Sequence, residues 1–375
     1  MVPRLDTGGA ERTTVDVAAA LAREGFLPLI ASEGGRMVGE LAEAGGVWLD
    51  FPANSRMPHT LFANALRLRT IIRERNVKLI HARSRAPAWS ALAAARMTGI
   101  PFVTTYHGIY NARSGLKRFY NSVMAHGDVV IANSEWTAAH IAAEYRFRPK
   151  RLAVIPRGVD FARFDAAKVS GDRVSAQRRH WGVGADEPVV LLPGRLTRWK
   201  GQMVLLDALG RLKQAGALGS VRAVFAGDAQ GRSAYETELR DTIAAGGLGD
   251  AVVIAGHVSD MPAAYLASDI VVSASTDPEA FGRVAAEAGA MERPVIATDH
   301  GGSREIVLPN RTGVLVPPGD ADALAGALRA LLSLDKEERA LMGRSARAHI
   351  ATHFTVERMC ADTLVLYRDL LEGRA

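Results

Sequence analysis

Residues 188–215 read PVVLLPGRLTRWKGQMVLLDALGRLKQA. A short apolar run closes on a Pro-Gly pair. A turn carrying Arg195 and Lys200 follows, and then a helical stretch from Gly201 to about 215. Strand, basic turn and helix in that order make one βα unit, and a chain built by repeating it forms a parallel sheet covered by helices. The same alternation extends in both directions. Upstream, "FLPLIAS" (26–32), "VKLIHA" (77–82), "PFVTTYH" (101–107), "VVIANS" (129–134) and "LAVIPRG" (152–158) each follow a helical segment. In the segment 59–75, Leu61, Ala65, Leu68 and Ile72 recur at helical spacing. Downstream, "VRAVFAG", "AVVIAG", "DIVVSAS", "RPVIAT" and "TGVLVPP" alternate with helical patterns. The expected architecture is therefore α/β, with two Rossmann-like, doubly wound parallel-sheet domains.

The expected boundaries follow from where the alternation breaks. Residues 1–165 form the first domain, 166–187 a polar connection, and 188–352 the second domain. Residues 353–375 form a last helix expected to pack back on the first domain. The chain opens "MVPRLDTGGAER", which leaves only two or three residues for the first strand. Either the start is late or the first strand is stubby.

Composition narrows the class. Of 375 residues, 48% are hydrophobic and 23% charged, which suits a chain with sizeable cores rather than a disordered one. Cys360 is the single cysteine, so no intrachain disulfide forms, and a reducing, cytoplasmic setting is expected. No 18-residue apolar run is present, and the N-terminus lacks the apolar core of a secretory signal. The charge is uneven. Residues 1–165 hold 22 Lys/Arg against 14 Asp/Glu, and between Leu66 and Arg118 eleven basic residues meet one acidic residue, Glu74. A solvated basic face explains this, as does an acidic partner: anionic lipid, a phosphorylated glycan or nucleic acid. No nucleic-acid recognition motif accompanies the basic stretch, so a nucleic-acid partner is not expected.

Ligands of doubly wound sheets bind beyond the carboxyl ends of the strands, so the residues just after each strand carry the functional signal. "DTGGAER" places Gly8 and Gly9 at a helix entry, where backbone N–H groups can approach an anion. "TYHG" ends a strand on His107. "PGRLTRWKGQ" sets Arg195 and Lys200 before a helix N-terminus, a bidentate fork and a point charge suited to a diphosphate. "STDPEAFGRVAAEA" carries Glu279 and Glu287 eight residues apart, with Phe281 and Gly282 between them. Neither GxGxxG nor GxxxxGK[ST] occurs, which removes the main support for a dinucleotide dehydrogenase or a P-loop enzyme. Asp320 and Asp322 form a D-x-D spacing, but they follow "VPPG" at a helix start, where N-capping explains them. No other cluster has metal-ligand spacing, so no metal is expected.

"PGRLTRWKG", "PEAFGRVAAEA", "ATDHGGSREIV", "TGVLVPPGD" and "GGAER" together resemble the family 4 glycosyltransferases, retaining enzymes of the GT-B architecture with an interdomain cleft. The likeness covers nearly the whole chain, with the motifs in the family's order. "HARSRAPAWSALAAARMTGIPFVTTYHGIYNA" is similar to the branch acting on lipopolysaccharide core sugars. The resemblance implies that Arg195 and Lys200 neutralise the leaving nucleotide diphosphate. It implies that Glu279 binds hydroxyls of the donor sugar and Glu287 those of the ribose. The amides around Phe281, Gly282 and Arg283 would face the donor, Gly8 and Gly9 would close over the diphosphate, and His107 would line the sugar pocket. The co-substrate is then a nucleotide diphosphate sugar with no further cofactor, and the acceptor a glycan or lipid-linked glycan. Arg67, Arg69, Arg73, Arg113, Lys117 and Arg118 would meet that acceptor and the anionic inner face of the membrane.

Spacing agrees with two holding sites rather than one proton-transfer couple. Eight residues of helix separate two Cα atoms by roughly 12 Å, whereas glycosidase carboxyl pairs lie about 5–9.5 Å apart. Two other readings share the architecture: a hydrolysing nucleotide-sugar 2-epimerase, and a non-enzymatic nucleotide-sugar-binding scaffold. A donor sugar altered without any acceptor would mark the first, and nucleotide binding without transfer the second.

Overall fold

The computed structural model describes residues 1–6, 8–110, 114–145, 150–231 and 233–373. They fall into two compact units, one of Met1–Gly158 with Val356–Ala375 and one of Val159–Thr355.

In the first unit β1 (Leu29–Ser32) pairs in parallel with β2 (Val47–Asp50). Strands β3 (Ile80–Ala82), β4 (Phe102–Tyr106), β5 (Val129–Ala132) and β6 (Leu152–Val154) form a second parallel run in that order. Residues 1–5 bridge the two runs. On one side Val2 N–H donates to Ala31 O (3.3 Å), Glu33 N–H to Pro3 O (3.0 Å) and Leu5 N–H to Gly34 O (2.7 Å). On the other, Arg83 N–H donates to Met1 O (3.0 Å) and the Met1 amine to His81 O (2.6 Å). The expected stubby strand is thus a short extended segment between β1 and β3. Pro3 has no N–H to give, which keeps the ladder irregular. Val2 and Leu5 are fully buried and anchor the segment by packing.

The second unit has one six-stranded parallel sheet, built from β7 (Val189–Pro193), β8 (Arg222–Ala226), β9 (Val252–Gly256), β10 (Ile270–Ser273), β11 (Val295–Thr298) and β12 (Gly313–Val316). Its order is β12-β11-β10-β7-β8-β9. Every residue of β7 is buried, because alternate side chains serve two cores. Val190 and Leu192 pack with Leu205, Leu209, Leu324 and Leu328 from helices Gln202–Gln214 and Ala321–Ser333. Val189 and Leu191 pack with Trp181, Tyr265 and Ala285 on the other face. Asp320 caps helix Ala321–Ser333 through Ala323 N–H (2.9 Å), and Asp322 pairs with Arg211 (2.6 Å), so each carboxylate of the D-x-D spacing has a structural partner.

Three sequence expectations need correction. The first unit ends at Gly158, not at 165. Val159 N–H donates to Phe354 O (2.8 Å), and Phe164 is buried in the second unit's core. Residues 166–187 are not a free connection. They include helix Gly171–His180, which has no buried residue of its own and is held by its ends. Trp181 and Val183 are buried, Arg173 forks onto Asp260 (2.8 and 2.7 Å), and Arg178 donates to Ala267 O (2.8 Å). A helix anchored by polar contacts carries no apolar period to read. Finally, the last helix is Val356–Leu371, and helix Lys336–His353 before it went unread, with Asp335 and Glu338 forming its capping box. Val356–Leu371 groups with the first unit, where Met359, Leu364 and Tyr367 join Val17 and Ala20 of helix Gly9–Arg23. Cys360 lies in that core, and burial pushes its thiol up to about 12. Among the described residues, no helix is long and apolar enough to cross a membrane.

The bridging role of residues 1–5 is testable by hydrogen exchange on the full chain. Leu5→Ala should cost about 2–5 kcal/mol locally. It should strip amide protection from β1 and β3 while β7 and β8 keep theirs. Unchanged protection at Ile30–Ser32 and Ile80–Ala82 would contradict that role.

Candidate functional site

In the second unit the turns after β7 and β10 meet. Lys200 ends a 3-10 turn, Arg198–Lys200, and Gly201 follows at φ +77°. A Cβ at Gly201 would overlap the Ala274 carbonyl just after β10. Glycine therefore satisfies both the left-handed backbone and the close approach. Thr276 N–H donates to Trp199 O (2.8 Å) across the same junction. The approach brings Lys200 Nζ onto Glu279 Oε1, a charge-assisted pair with both side chains about 85% shielded from solvent. Ser275 Oγ donates to the same oxygen (2.8 Å), and Oε2 takes part in neither bond. The Lys200 ammonium also lies 4.3 Å from the Trp199 ring centroid.

Burial alone would raise the Glu279 carboxyl, but Lys200, Ser275 and Arg283 outweigh it and hold the group below its ordinary value. It therefore stays an acceptor at neutral pH. The loop after β11 supports it from below. Gly302 N–H donates to Glu279 O (2.7 Å), and Gly301, at φ +62°, leaves no room for a Cβ against that carbonyl. Thr298 Oγ1 and His300 Nε2 both donate to Ser275 O (2.9 Å each).

Helix Arg283–Ala290 begins at Gly282 with no side-chain cap, so its first N–H groups and positive end remain available to an anion. The Phe281 ring is core, 5.8 Å from Phe354 and edge-on to it; what Phe281 offers a ligand is backbone. Glu287 sits one turn into the helix with its own partners. Tyr265 Oη donates to Oε2 (2.9 Å), and Arg283 Nε lies 3.4 Å from Oε1. Burial and the neighbouring carboxylate push the Tyr265 phenol well above its ordinary value, so it remains a donor. Glu279 and Glu287 are hydrogen-bonded by different side chains, Lys200 and Ser275 for the first and Tyr265 for the second, while the Arg283 charge lies near both.

The three cations of the turn divide. Arg198 forks onto Glu238 and lies over the Tyr235 ring, a structural assignment. Lys200 holds Glu279. Arg195 is exposed, and its guanidinium makes no hydrogen bond or ion pair among the described residues. Ser275 and Tyr265, which orient the two glutamates, were missed from sequence: Ser275 follows β10 as an ordinary polar loop residue, and Tyr265 sits within helix Met261–Leu266, where it reads as core.

In the first unit Gly8 precedes helix Gly9–Arg23, again without a side-chain cap. A Cβ on Gly9 would collide with the Arg157 guanidinium, so Arg157 stands at that helix entry. Arg157 Nη2 reaches His107 Nδ1 (2.8 Å) and His107 O (3.1 Å). The structure thus gathers Gly8, Gly9 and His107 around a residue the sequence reading passed over, although "LAVIPRG" shows it just beyond a strand. Of the basic residues, Arg67 donates to Asp50 O (2.8 Å) and Arg118 pairs with Glu144 (2.9 Å). Arg69, Arg73 and Lys117 have no side-chain partner among the described residues, and Arg113 lies outside those residues. Exposed apolar side chains accompany them: Phe62 and Leu66 on helix Pro58–Glu74, and Leu116 and Phe119 on helix Gly115–Ser122. Helix Arg85–Thr98 links the two, since Ser90 Oγ donates to Leu61 O (2.9 Å) and Trp89 stacks on Phe119 (5.3 Å).

Two glycine substitutions separate site support from ordinary helix propensity. Gly301→Ala forces a positive φ, which costs about 1–2 kcal/mol, and adds a backbone overlap, so the melting temperature should fall. Gly326, in helix Ala321–Ser333, has open space around it. Gly326→Ala should raise the melting temperature, by about 1 kcal/mol of stability at most. A Gly301→Ala chain melting with the wild type would refute the close approach.

Comparison with known proteins identifies the family. The family described as Glycosyl transferases group 1 matches residues 174–349, and that described as Glycosyltransferase Family 4 matches residues 7–163. A glycosyltransferase from Rickettsia africae is 34% identical in a solved structure, with a TM-score of 0.89, covering 99% of this chain and 98% of that one. HepE from Anabaena, solved in complex with UDP and glucose, is 27% identical with a TM-score of 0.82, covering 98% of each chain. D-inositol 3-phosphate glycosyltransferase from Xylanimonas cellulosilytica is 34% identical over 67% of this chain and 59% of its own length. The match spans between half and two thirds of that curated relative and of the similar ones from Segniliparus rotundus and Salinispora tropica. The chain belongs to the family 4 glycosyltransferases and has their GT-B fold of two parallel-sheet α/β domains.

Proposed function

We propose that the protein is a retaining hexosyltransferase that moves a sugar from a nucleotide diphosphate sugar to a phosphate-bearing glycan or glycolipid. The observation that carries this reading is the Lys200–Glu279 pair beside the uncapped helix at Gly282, with Arg195 uncommitted nearby. A lysine has three N–H donors and a carboxylate about four acceptor sites, so neither is exhausted by the other. On donor binding Lys200 and Arg195 take the diphosphate oxygens, and Glu279 Oε2 accepts from hydroxyls of the sugar. Glu287, oriented by Tyr265, accepts from the ribose. Negative charge accumulates on the leaving diphosphate as the glycosidic bond breaks, and fixed cations with a helix N-terminus stabilise that charge most in the transition state. These groups can do the work of a bound metal ion, so the reaction is proposed to be metal-independent. The UDP and glucose of the HepE complex make UDP-glucose the first donor to try.

Acceptor and location rest on the first unit. Arg69, Arg73 and Lys117, with Phe62, Leu66, Leu116 and Phe119, offer both charge and apolar contact to an anionic membrane surface from the cytoplasmic side. This favours a lipid-linked acceptor and a role in lipopolysaccharide core or related envelope polysaccharide synthesis. The D-inositol 3-phosphate named for the curated relatives is a second acceptor to test, since it too carries a phosphate.

Three variants and a vesicle assay test this reading. Lys200→Ala should lower transfer from UDP-glucose more than tenfold while far-UV circular dichroism stays that of the wild type. Glu287→Gln should weaken UDP binding, and Glu279→Gln should change sugar preference while UDP binding holds. Wild-type turnover in Lys200→Ala, or sugar preference shifting with Glu287 alone, would sink the division of roles. The protein should also sediment with anionic vesicles at low salt and release as salt rises past the Debye-screening range. Salt-independent binding, or none, would remove the electrostatic account of the basic face.

A further inference from the structure

The His107 ring is held at one nitrogen, by Arg157. One Arg157 nitrogen, Nη2, reaches both the ring Nδ1 (2.8 Å) and the residue's own carbonyl (3.1 Å), one N–H for each. Arginine offers donors only and does not deprotonate in proteins. Nδ1 must therefore accept, and the ring proton must sit on Nε2. Nε2 is buried without a partner among the described residues. It borders a small space of about 20 Å³ lined in part by Thr13, Arg83, Thr105, Asn133 and Arg157. The Asn133 side-chain oxygen and nitrogen are likewise buried and unpartnered. A space of that size holds roughly one water, enough to take the Nε2 proton and donate to Asn133 Oδ1.

We infer that Arg157 is a positioning residue that fixes His107 as a neutral imidazole protonated on Nε2, so that His107 orients its neighbours and does not take up a proton during the reaction. Protonating Nδ1 would set an N–H against a guanidinium N–H. The surroundings oppose a charge as well. The charged or titratable groups around His107 are Arg157 beyond β6, Arg83 beyond β3, His81 within β3 and Tyr110, whose buried phenol meets the His107 backbone. Helix Gly9–Arg23 presents Thr13 and Val17 to the same space, and helix Val356–Leu371 presents Met359 and Thr363. Burial, followed by Arg157 and Arg83, holds His107 well below its ordinary value. His81 is itself engaged on both nitrogens, by Tyr367 Oη and by Thr105 Oγ1 (2.7 Å), and so is unable to swing across as a relay. Arg157 thereby ties Gly9, where it meets the helix entry, to the tautomer of His107. The consequence for transfer rests on the glycosyltransferase reading above; the tautomer does not.

Imidazole nitrogen–proton correlation spectra of the full chain, labelled with 15N-histidine and assigned by His107→Gln, test this directly. Wild-type His107 should show one neutral, Nε2-protonated pattern from about pH 5 to about pH 8, across the range in which an ordinary histidine titrates. Arg157→Ala should let His107 titrate or mix tautomers within that range, and Arg157→Lys should restore the Nε2–H pattern. An imidazolium or an Nδ1–H tautomer in the wild type at neutral pH would overturn the assignment, and that reading does not depend on Arg157→Ala folding. A tautomer and pH response unchanged in Arg157→Ala would remove Arg157 from it. If the wild-type pattern holds while transfer from UDP-glucose is absent, the tautomer stands and the proposed function fails.

Discussion

An ammonium from one strand end and a carboxylate from another share a largely shielded position in the second unit, and the site's construction serves that contact. Lys200 follows β7, whereas Glu279 follows β10, the neighbouring strand in the sheet. They meet because the backbone around them approaches without side chains in the way, at Gly201 against Ala274 and at Gly301 against Glu279. A half-buried ion pair is costly to assemble and costlier to break from one side. Here a serine hydroxyl, two carbonyl-bound side chains and a neighbouring indole hold it in place. The pair stores both charges, desolvated and oriented, at the point where a diphosphate and a sugar would need opposite partners.

The helix at Gly282 extends this logic. Its first turn is left uncapped, its opening aromatic is turned into the core, and its second turn carries Glu287 on a buried tyrosine. The loop and helix from Glu279 to Glu287 thus present, in order, a carboxylate, an uncapped helix end and a second carboxylate. Precise placement of that kind depends on packing beneath the loop, where Gly301 and Gly302 meet the backbone of Glu279 and Phe281 and the Phe281 ring lies edge-on to Phe354.

Much of this was legible in the chain itself. Parallel strands buried on both faces leave apolar runs, and β7 through β12 were found that way. Glu279, Glu287, Arg195 and Lys200 stood out because strand ends in doubly wound sheets are where chemistry collects. What escaped has a common physical cause. Helix Gly171–His180 is held by arginine forks rather than an apolar stripe, so it read as a linker and pushed the domain boundary late. Strand Val47–Asp50 is short and lies at an edge, with mostly exposed side chains and no alternation to see. Arg157 reaches His107 and Tyr265 reaches Glu287 across long stretches of chain, and such contacts leave no mark in spacing; Ser275 acts within its own loop, on Glu279. The Lys200–Glu279 bond belongs to the same class: sequence named both residues and assigned each to a ligand, without showing that they hold one another.

If the donor is held as proposed, Lys200 and Glu279 act on it as a coupled pair. A double-mutant cycle on UDP-glucose affinity, measured by calorimetry with wild type, Lys200→Met, Glu279→Gln and the double variant, tests it most directly. The account predicts strong non-additivity, the double variant losing well under the sum of the two single losses, because each single change strands the other partner. Losses that add to within about 0.5 kcal/mol would show that the two side chains meet the donor independently, and would contradict the claim.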